Sequence, residues 1–176
     1  MSDQTIYEET QRLHHNAIVR YLVPLSCVFS VGLAAAVLVA QQAPASSLAV
    51  TVGLGLGIPL GLAWLPMHTV VTEQTIHVRS LFFFSTTIDM ASVTHAEHLR
   101  YNPLGDCGGW GGARPSRKFG IVFNMAGDRG VYIRFEREGA ERSVLIGSRR
   151  SEELARAVRL AANLPGEAAA PGVAPA

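Results

Sequence analysis

Two apolar runs dominate the pattern of this chain. Residues 21–40 (YLVPLSCVFSVGLAAAVLVA) and 48–66 (LAVTVGLGLGIPLGLAWLP) carry no charged residue, and a short polar stretch, residues 41–47, separates them. A hydrocarbon core about 30 Å thick takes roughly 20 helical residues at about 1.5 Å each. Both runs meet that length, the second barely. Ten residues of the first are Leu, Val or Phe, worth together roughly −3 to −6 kcal/mol on an insertion scale. The second run is weaker, because four positions are Gly and one is Pro59. A buried helical hairpin in a soluble protein would normally show a polar stripe, and neither run has one. The pattern therefore predicts two transmembrane helices.

Small residues recur within these helices. Ala49, Gly53, Gly57 and Gly61 fall on one helix face, and Gly32, Ala36 and Ala40 on another. Such stripes let helices approach closely. The short linker makes the two helices antiparallel neighbours, so the stripes are expected to pack against each other within the chain. A homodimer through one of them is the alternative. Arg12 and Arg20 precede the first helix and Arg79 follows the second, while the linker has no Lys or Arg. That bias predicts a multi-pass protein of the plasma (inner) membrane, with both termini cytoplasmic and residues 41–47 external. Trp64 suits an interfacial anchor. Ala43-Pro44-Ala45 also offers the small residues of a signal-peptide cleavage site. The long preceding region, with Asp3, Glu8 and Glu9, favours retention, and N-terminal sequencing decides between the two.

After Pro66 the period changes from helical to alternating. Residues 67–72 read as a strand, and 75–81 alternate Ile76 and Val78 against His77 and Arg79. Residues 75–88 contain no Gly, Pro or Asn, yet as one strand they would run to about 46 Å, beyond ordinary strand length. A turn near residues 81–83 is therefore expected, which puts Phe82 and Phe83 at a hairpin tip or in the core. Further strands follow at 93–101, 119–124, 131–137 and 142–146. The glycine-rich residues 104–117 read as irregular. A helix then starts with Ser148 or Ser151 as its N-cap, carries Glu152 and Glu153 in its first turn, and shows Leu154, Ala157, Val158 and Ala161 as its apolar face. Residues 165–176 are Pro/Ala-rich and read as a disordered tail. At the other end, residues 1–20 are polar, and Glu8 and Arg12 have the spacing of a helical ion pair, which admits a short helix leading to the membrane. The tally is about seven short antiparallel strands and one C-terminal helix over residues 67–164. A bent sheet plugged by that helix would satisfy it.

Composition changes this picture little. Net charge is +1 over 176 residues. Residues 67–164 hold thirteen Lys/Arg against ten Asp/Glu, or +3, which is too little to argue for nucleic acid. Fourteen of the fifteen basic residues are Arg, a bias that with the high Ala content suggests a GC-rich bacterial genome. Cys27 sits in the first apolar run and Cys107 in the glycine-rich loop, so no disulfide framework is expected.

Three stretches resemble a bacterial family of small proteins with two transmembrane helices and a C-terminal pleckstrin-homology-like (PH-like) domain. They are Tyr101-Asn102-Pro103 leading to Gly109-Trp110-Gly111; Phe119-Gly120-Ile121-Val122-Phe123-Asn124 with Gly127 and Gly130-Val131; and Val144-Leu145-Ile146-Gly147-Ser148 before Glu152-Glu153-Leu154. Where members of that family often have Ile-Arg after Gly-Trp-Gly, this chain has Gly112-Ala113, with Arg114 one place later. The resemblance implies a mainly-β PH-like domain behind a membrane hairpin and no established enzymatic activity.

Candidate chemistry is sparse. His95 and Glu97 share a strand face and His98 points away, so three converging metal ligands are not supplied locally; no metal or cofactor is expected. Cys107 beside Asp106 would need a base to act as a nucleophile. The run from Gly108 to Gly112 lacks the Gly-Lys-Ser/Thr of a phosphate loop. Trp110 reads as an anchor for that loop. Arg114, Arg117 and Lys118 form the one dense basic cluster of the loops, and together with Trp64, Phe82 and Phe83 they are the candidate membrane or lipid contacts. No catalytic residue is assigned. The function expected is a membrane-anchored binding or scaffolding module at the cytoplasmic membrane face, its partners the bilayer and a protein, not nucleic acid. The alternatives are an anionic-lipid sensor and a membrane-bound enzyme using His95, Glu97 and His98 or Cys107.

Overall fold

The structure, a computed structural model, describes residues 4–64, 66–80 and 84–165, apart from the side chains of residues 17, 18 and 62. The expectations placed on Phe82, on Phe83 and on the tail from residue 166 lie outside the described residues. The chain forms two units. One is residues 11–66; the other joins residues 1–10 to residues 67–176.

In the first unit a 3-10 turn, Leu13–His15, leads into α1 (Ala17–Ala40), which is followed by α2 (Ala45–Trp64). Val19–Ala40 is long and apolar enough to cross a membrane, with a mean hydropathy of 2.4, whereas Ala45–Gly61 is a shorter apolar helix. The helices meet through a face that the small-residue spacing did not indicate. A Cβ added at Gly55 would stand 2.6 Å from Val31 Cγ2, so Gly55 is the point of close approach. Around it, Val31, Ala34, Ala35 and Leu38 of α1 and Thr51, Val52, Leu56 and Pro59 of α2 are half-buried. Gly32, Gly53, Gly57 and Gly61 have no atom within 4 Å of where a Cβ would be, and Ala36, Ala40 and Ala49 are exposed. The expected packing of the two stripes on each other is thus corrected. The stripes face outward, because branched Val31 fits the gap at Gly55 and turns the helices accordingly.

The second unit contains β1 (Thr5–Arg12), β2 (Pro66–Thr72), β3 (Thr75–Ser80), β4 (Phe84–Asp89), β5 (Val93–Arg100), α3 (Pro103–Cys107), β6 (Gly112–Ser116), β7 (Gly120–Asn124), β8 (Arg129–Arg137), β9 (Ala140–Gly147) and α4 (Ser151–Ala161); β1 runs two residues past the unit boundary. The strands form two sheets, β1-β2-β3-β4 and β5-β8-β9-β7-β6. The over-long apolar stretch divides as strand length required, with β3 and β4 antiparallel and Ser80 opposite Phe84. One core lies between the sheets and under α4. It joins Met67, Val71, Ile76 and Ile88 to Val131, Ile133, Val144 and Ile146, with Leu154 and Val158 from the helix.

Four expectations change. Among the described residues eight strands rather than seven follow the helices, and a ninth, β1, precedes them. One of the additions is β1, where a helix was admissible. Its buried positions are Tyr7, Glu9 and Gln11, so the inward face of this strand is largely polar and shows no apolar alternation. The glycine-rich stretch is also ordered into elements. Asn102 Oδ1 accepts from the backbone N–H of Leu104 and Gly105, both at 3.1 Å, which caps α3, and Pro115 is tolerated because β6 is an edge strand. The single bent antiparallel sheet becomes two sheets, and β7 pairs with β9 in parallel. Finally, the N-cap of α4 is Arg150, with no side-chain cap. Ser148 instead accepts from Arg150 N–H at 3.0 Å and donates to Glu9 Oε2 at 2.6 Å.

Candidate functional site

The Gly-Trp-Gly stretch is tied down from within. Trp110 Nε1 donates to the Gly127 carbonyl at 2.8 Å. Arg114 donates to the carbonyls of Gly108 at 2.7 Å and Trp110 at 2.5 Å. Asn124 Nδ2 donates to the Gly109 carbonyl at 3.2 Å. Trp110 therefore anchors the loop, and Arg114 is its clamp. Lys118 lies 3.6 Å from Asp106 Oδ1 and 5.0 Å from the Phe119 ring centre, while Arg117 is exposed. The basic cluster expected to meet lipid thus commits one of its three cations wholly, and a second partly, to the protein itself.

Beneath this loop Tyr101, Cys107, Phe119, Val122 and Leu145 form a second apolar cluster. Burial, and then the neighbouring Asp106 charge, pushes the Cys107 thiol up, which disfavours the thiolate a nucleophile needs. Burial likewise pushes the Tyr101 phenol up to about 12. An unfolded tyrosine ionises near pH 10, so above that pH the unfolded chain has lost a proton the folded chain keeps. The stability that Tyr101 contributes is expected to hold below about pH 10 and to fall by about 1.4 kcal/mol per unit above it until the folded tyrosine titrates. Denaturation midpoints measured across this range should drop less steeply in Tyr101→Phe. Tyr7, whose phenol is also raised by burial and by its bond to Glu9, leaves a residual slope.

His68, His77 and His95 of the β unit have separate partners. His95 Nε2 is 3.3 Å from Glu97. His68 Nδ1 pairs with Thr10 Oγ1 at 3.0 Å, and His77 Nδ1 with Thr87 Oγ1 at 2.9 Å. Among the described residues no group of three or more His, Cys, Asp or Glu could hold a metal ion.

A concave surface does exist, and the sequence did not indicate it. A groove of about 540 Å³ runs along β7, β9 and the β8–β9 turn and is met by Thr86 of β4. Its apolar wall is Ile121, Phe123, Phe135 and Val144, and its rim is Arg137, Glu138, Glu141 and Arg142. That volume lies in the range of small-ligand pockets. Ile121 is 51% exposed while Val122 and Phe123 are buried. A run of consecutive apolar residues carries no sign of which one is left open; that depends on the placing of β7 beside β9.

No family model matches this chain, and neither does any curated protein or solved structure. The resemblance to two-helix PH-like proteins therefore rests on the residues quoted for it.

Proposed function

We propose that this protein is a membrane-anchored binding module, held by α1 and α2 as a two-span hairpin with both termini cytoplasmic. The observation that carries the reading is the composition of the β unit. The chain leaves that unit after Thr10, runs through both apolar helices and returns to it at Met67. Residues on either side of the helices are bonded together, with Glu9 accepting from Ser148 at 2.6 Å and from the Arg149 N–H at 3.1 Å. A chain that crosses a bilayer and comes back to one folded unit crosses an even number of times. If α1 spans, α2 spans too.

The exposed apolar surface supports the same reading. Leu25, Val28, Phe29, Leu33 and Val39 of α1 and Val50, Leu54 and Ile58 of α2 are all more than half exposed. In water each such side chain forgoes about 1.5–3 kcal/mol of burial, and contiguous apolar surface of this extent marks a membrane or partner contact. Arg12 and Arg20 before α1, set against the uncharged linker, orient the hairpin with its ends inside. The PH-like assignment draws on α4 closing a mainly-β unit. The binding role draws on the groove, whose apolar wall and mixed-charge rim suit a polypeptide segment more than a reacting small molecule.

Single cysteines at Gln4, Gln42 and Arg117 test this in intact cells with a membrane-impermeant maleimide. Position 42 is expected to label at once, and positions 4 and 117 only after permeabilisation. Labelling of 4 and 117 from opposite sides would sink the reading. In the same cells, a photo-crosslinker at Ile121 is expected to give one discrete adduct that a crosslinker at Glu73, outside the groove, does not.

A further inference from the structure

Residues 11–66 contain Arg12 and Arg20, His14 and His15, and no Asp or Glu. Every one of these basic groups lies at the end of the hairpin where α1 begins and α2 ends; the connection at residues 41–47 has none. The structure gathers them on aromatic rings. The Arg12 guanidinium carbon is 5.7 Å from the Trp64 ring centre. The His14 ring lies 4.9 Å from Trp64 and 4.6 Å from His15. One turn into α1, Arg20 stands 5.8 Å over Tyr21. His14 Nδ1 is 3.2 Å from the Ala63 carbonyl; a carbonyl only accepts, so this nitrogen carries the proton and the ring is tied to the end of α2. Trp64 itself is 61% exposed.

We infer that this basic and aromatic collar is a binding site for the headgroup phosphate of anionic phospholipid. The inference rests on the membrane reading above and adds the lipid class. Each guanidinium lies over a ring, and a guanidinium offers a planar fork of N–H donors that takes a phosphate two at a time. Amphipathic rings beside an apolar helix belong at headgroup level, which favours a lipid phosphate over one free in solution. Neither Arg12 nor Arg20 is in an ion pair among the described residues. The loop cluster of Arg114 and Lys118 differs on this point, being bound to its own carbonyls and to Asp106.

The test is quenching of Trp64 by brominated lipid, with the full chain reconstituted in phosphatidylcholine vesicles. Brominated phosphatidylglycerol and brominated phosphatidylcholine are compared at equal mole fraction, and the Trp64 signal is defined by its loss in Trp64→Phe. Two arginines near the headgroup plane, at about 1 kcal/mol each, should make the anionic lipid about thirtyfold more effective per mole. Added salt should shrink that preference, and Arg12→Gln with Arg20→Gln should abolish it. Equal quenching by the two lipids would overturn the collar and leave the membrane reading standing. Quenching by neither would overturn the membrane reading itself. A preference that survives both arginine substitutions would also overturn the assignment.

Discussion

Glu9→Ala is expected to destabilise the β unit by about 3 kcal/mol, read from denaturant midpoints of the detergent-solubilised protein. Glu9 is 8% exposed and accepts from Tyr7 Oη at 2.6 Å, Ser148 Oγ at 2.6 Å and the Arg149 N–H at 3.1 Å. Hydrogen bonds to a charged group contribute about 1.5–3 kcal/mol each, and a buried donor left without a partner costs about 1–3. The sum is discounted because the two hydroxyls lie 3.1 Å apart and can pair with each other. The effect falls on the join between β1 and the β9–α4 corner, which is also the join that returns the chain to one unit. A loss below about 1 kcal/mol, as for a surface carboxylate, would show that β1 is not held through Glu9. Glu9→Gln retains the shape and one acceptor oxygen and should lose less.

The second large effect is Gly120→Ala, for which a loss of at least about 3 kcal/mol is expected. Gly120 has φ +75, and a Cβ there would run into the Ser143 carbonyl oxygen and Oγ. The left-handed conformation alone costs an L-residue roughly 1–2 kcal/mol. The collision adds the cost of moving backbone at the start of the parallel pair of β7 with β9, where Ile121 is opposite Val144. Gly127 provides the control. Its φ is +82, but nothing lies within 4 Å of an added Cβ, so Gly127→Ala should lose only the conformational part, about 1–2 kcal/mol. Equal losses at the two positions would mean that the close approach of β7 to β9 contributes nothing.

Much of the architecture is legible in the sequence where apolar residues report on burial. Ile76 and Val78 alternate with His77 and Arg79, and the structure buries the first pair. The apolar face of α4 lies on the core through Leu154, Ala157 and Val158. The division of the long apolar stretch into β3 and β4 follows from strand length alone. Trp110 as a loop anchor is legible because a large ring among glycines has few other uses. Other features escaped because their signal is polar or non-local. β1 buries a tyrosine, a glutamate and a glutamine, and the first two bond to Ser148, more than 130 residues away in sequence. The groove depends on one exposed isoleucine in an apolar run. The helix–helix contact turns on Gly55, while the regular spacing of the other glycines pointed to a different face.

The sequence by itself determined two uncharged apolar helices ahead of a β-rich unit with a closing helix, since chain-local hydrophobicity sets both periods. Only the tertiary structure decided that residues before the helices fold with residues after them, and that Arg12 and His14 meet Trp64. Those facts rest on hydrogen bonds and ring contacts between segments far apart in the chain, and local periodicity carries no record of such pairings.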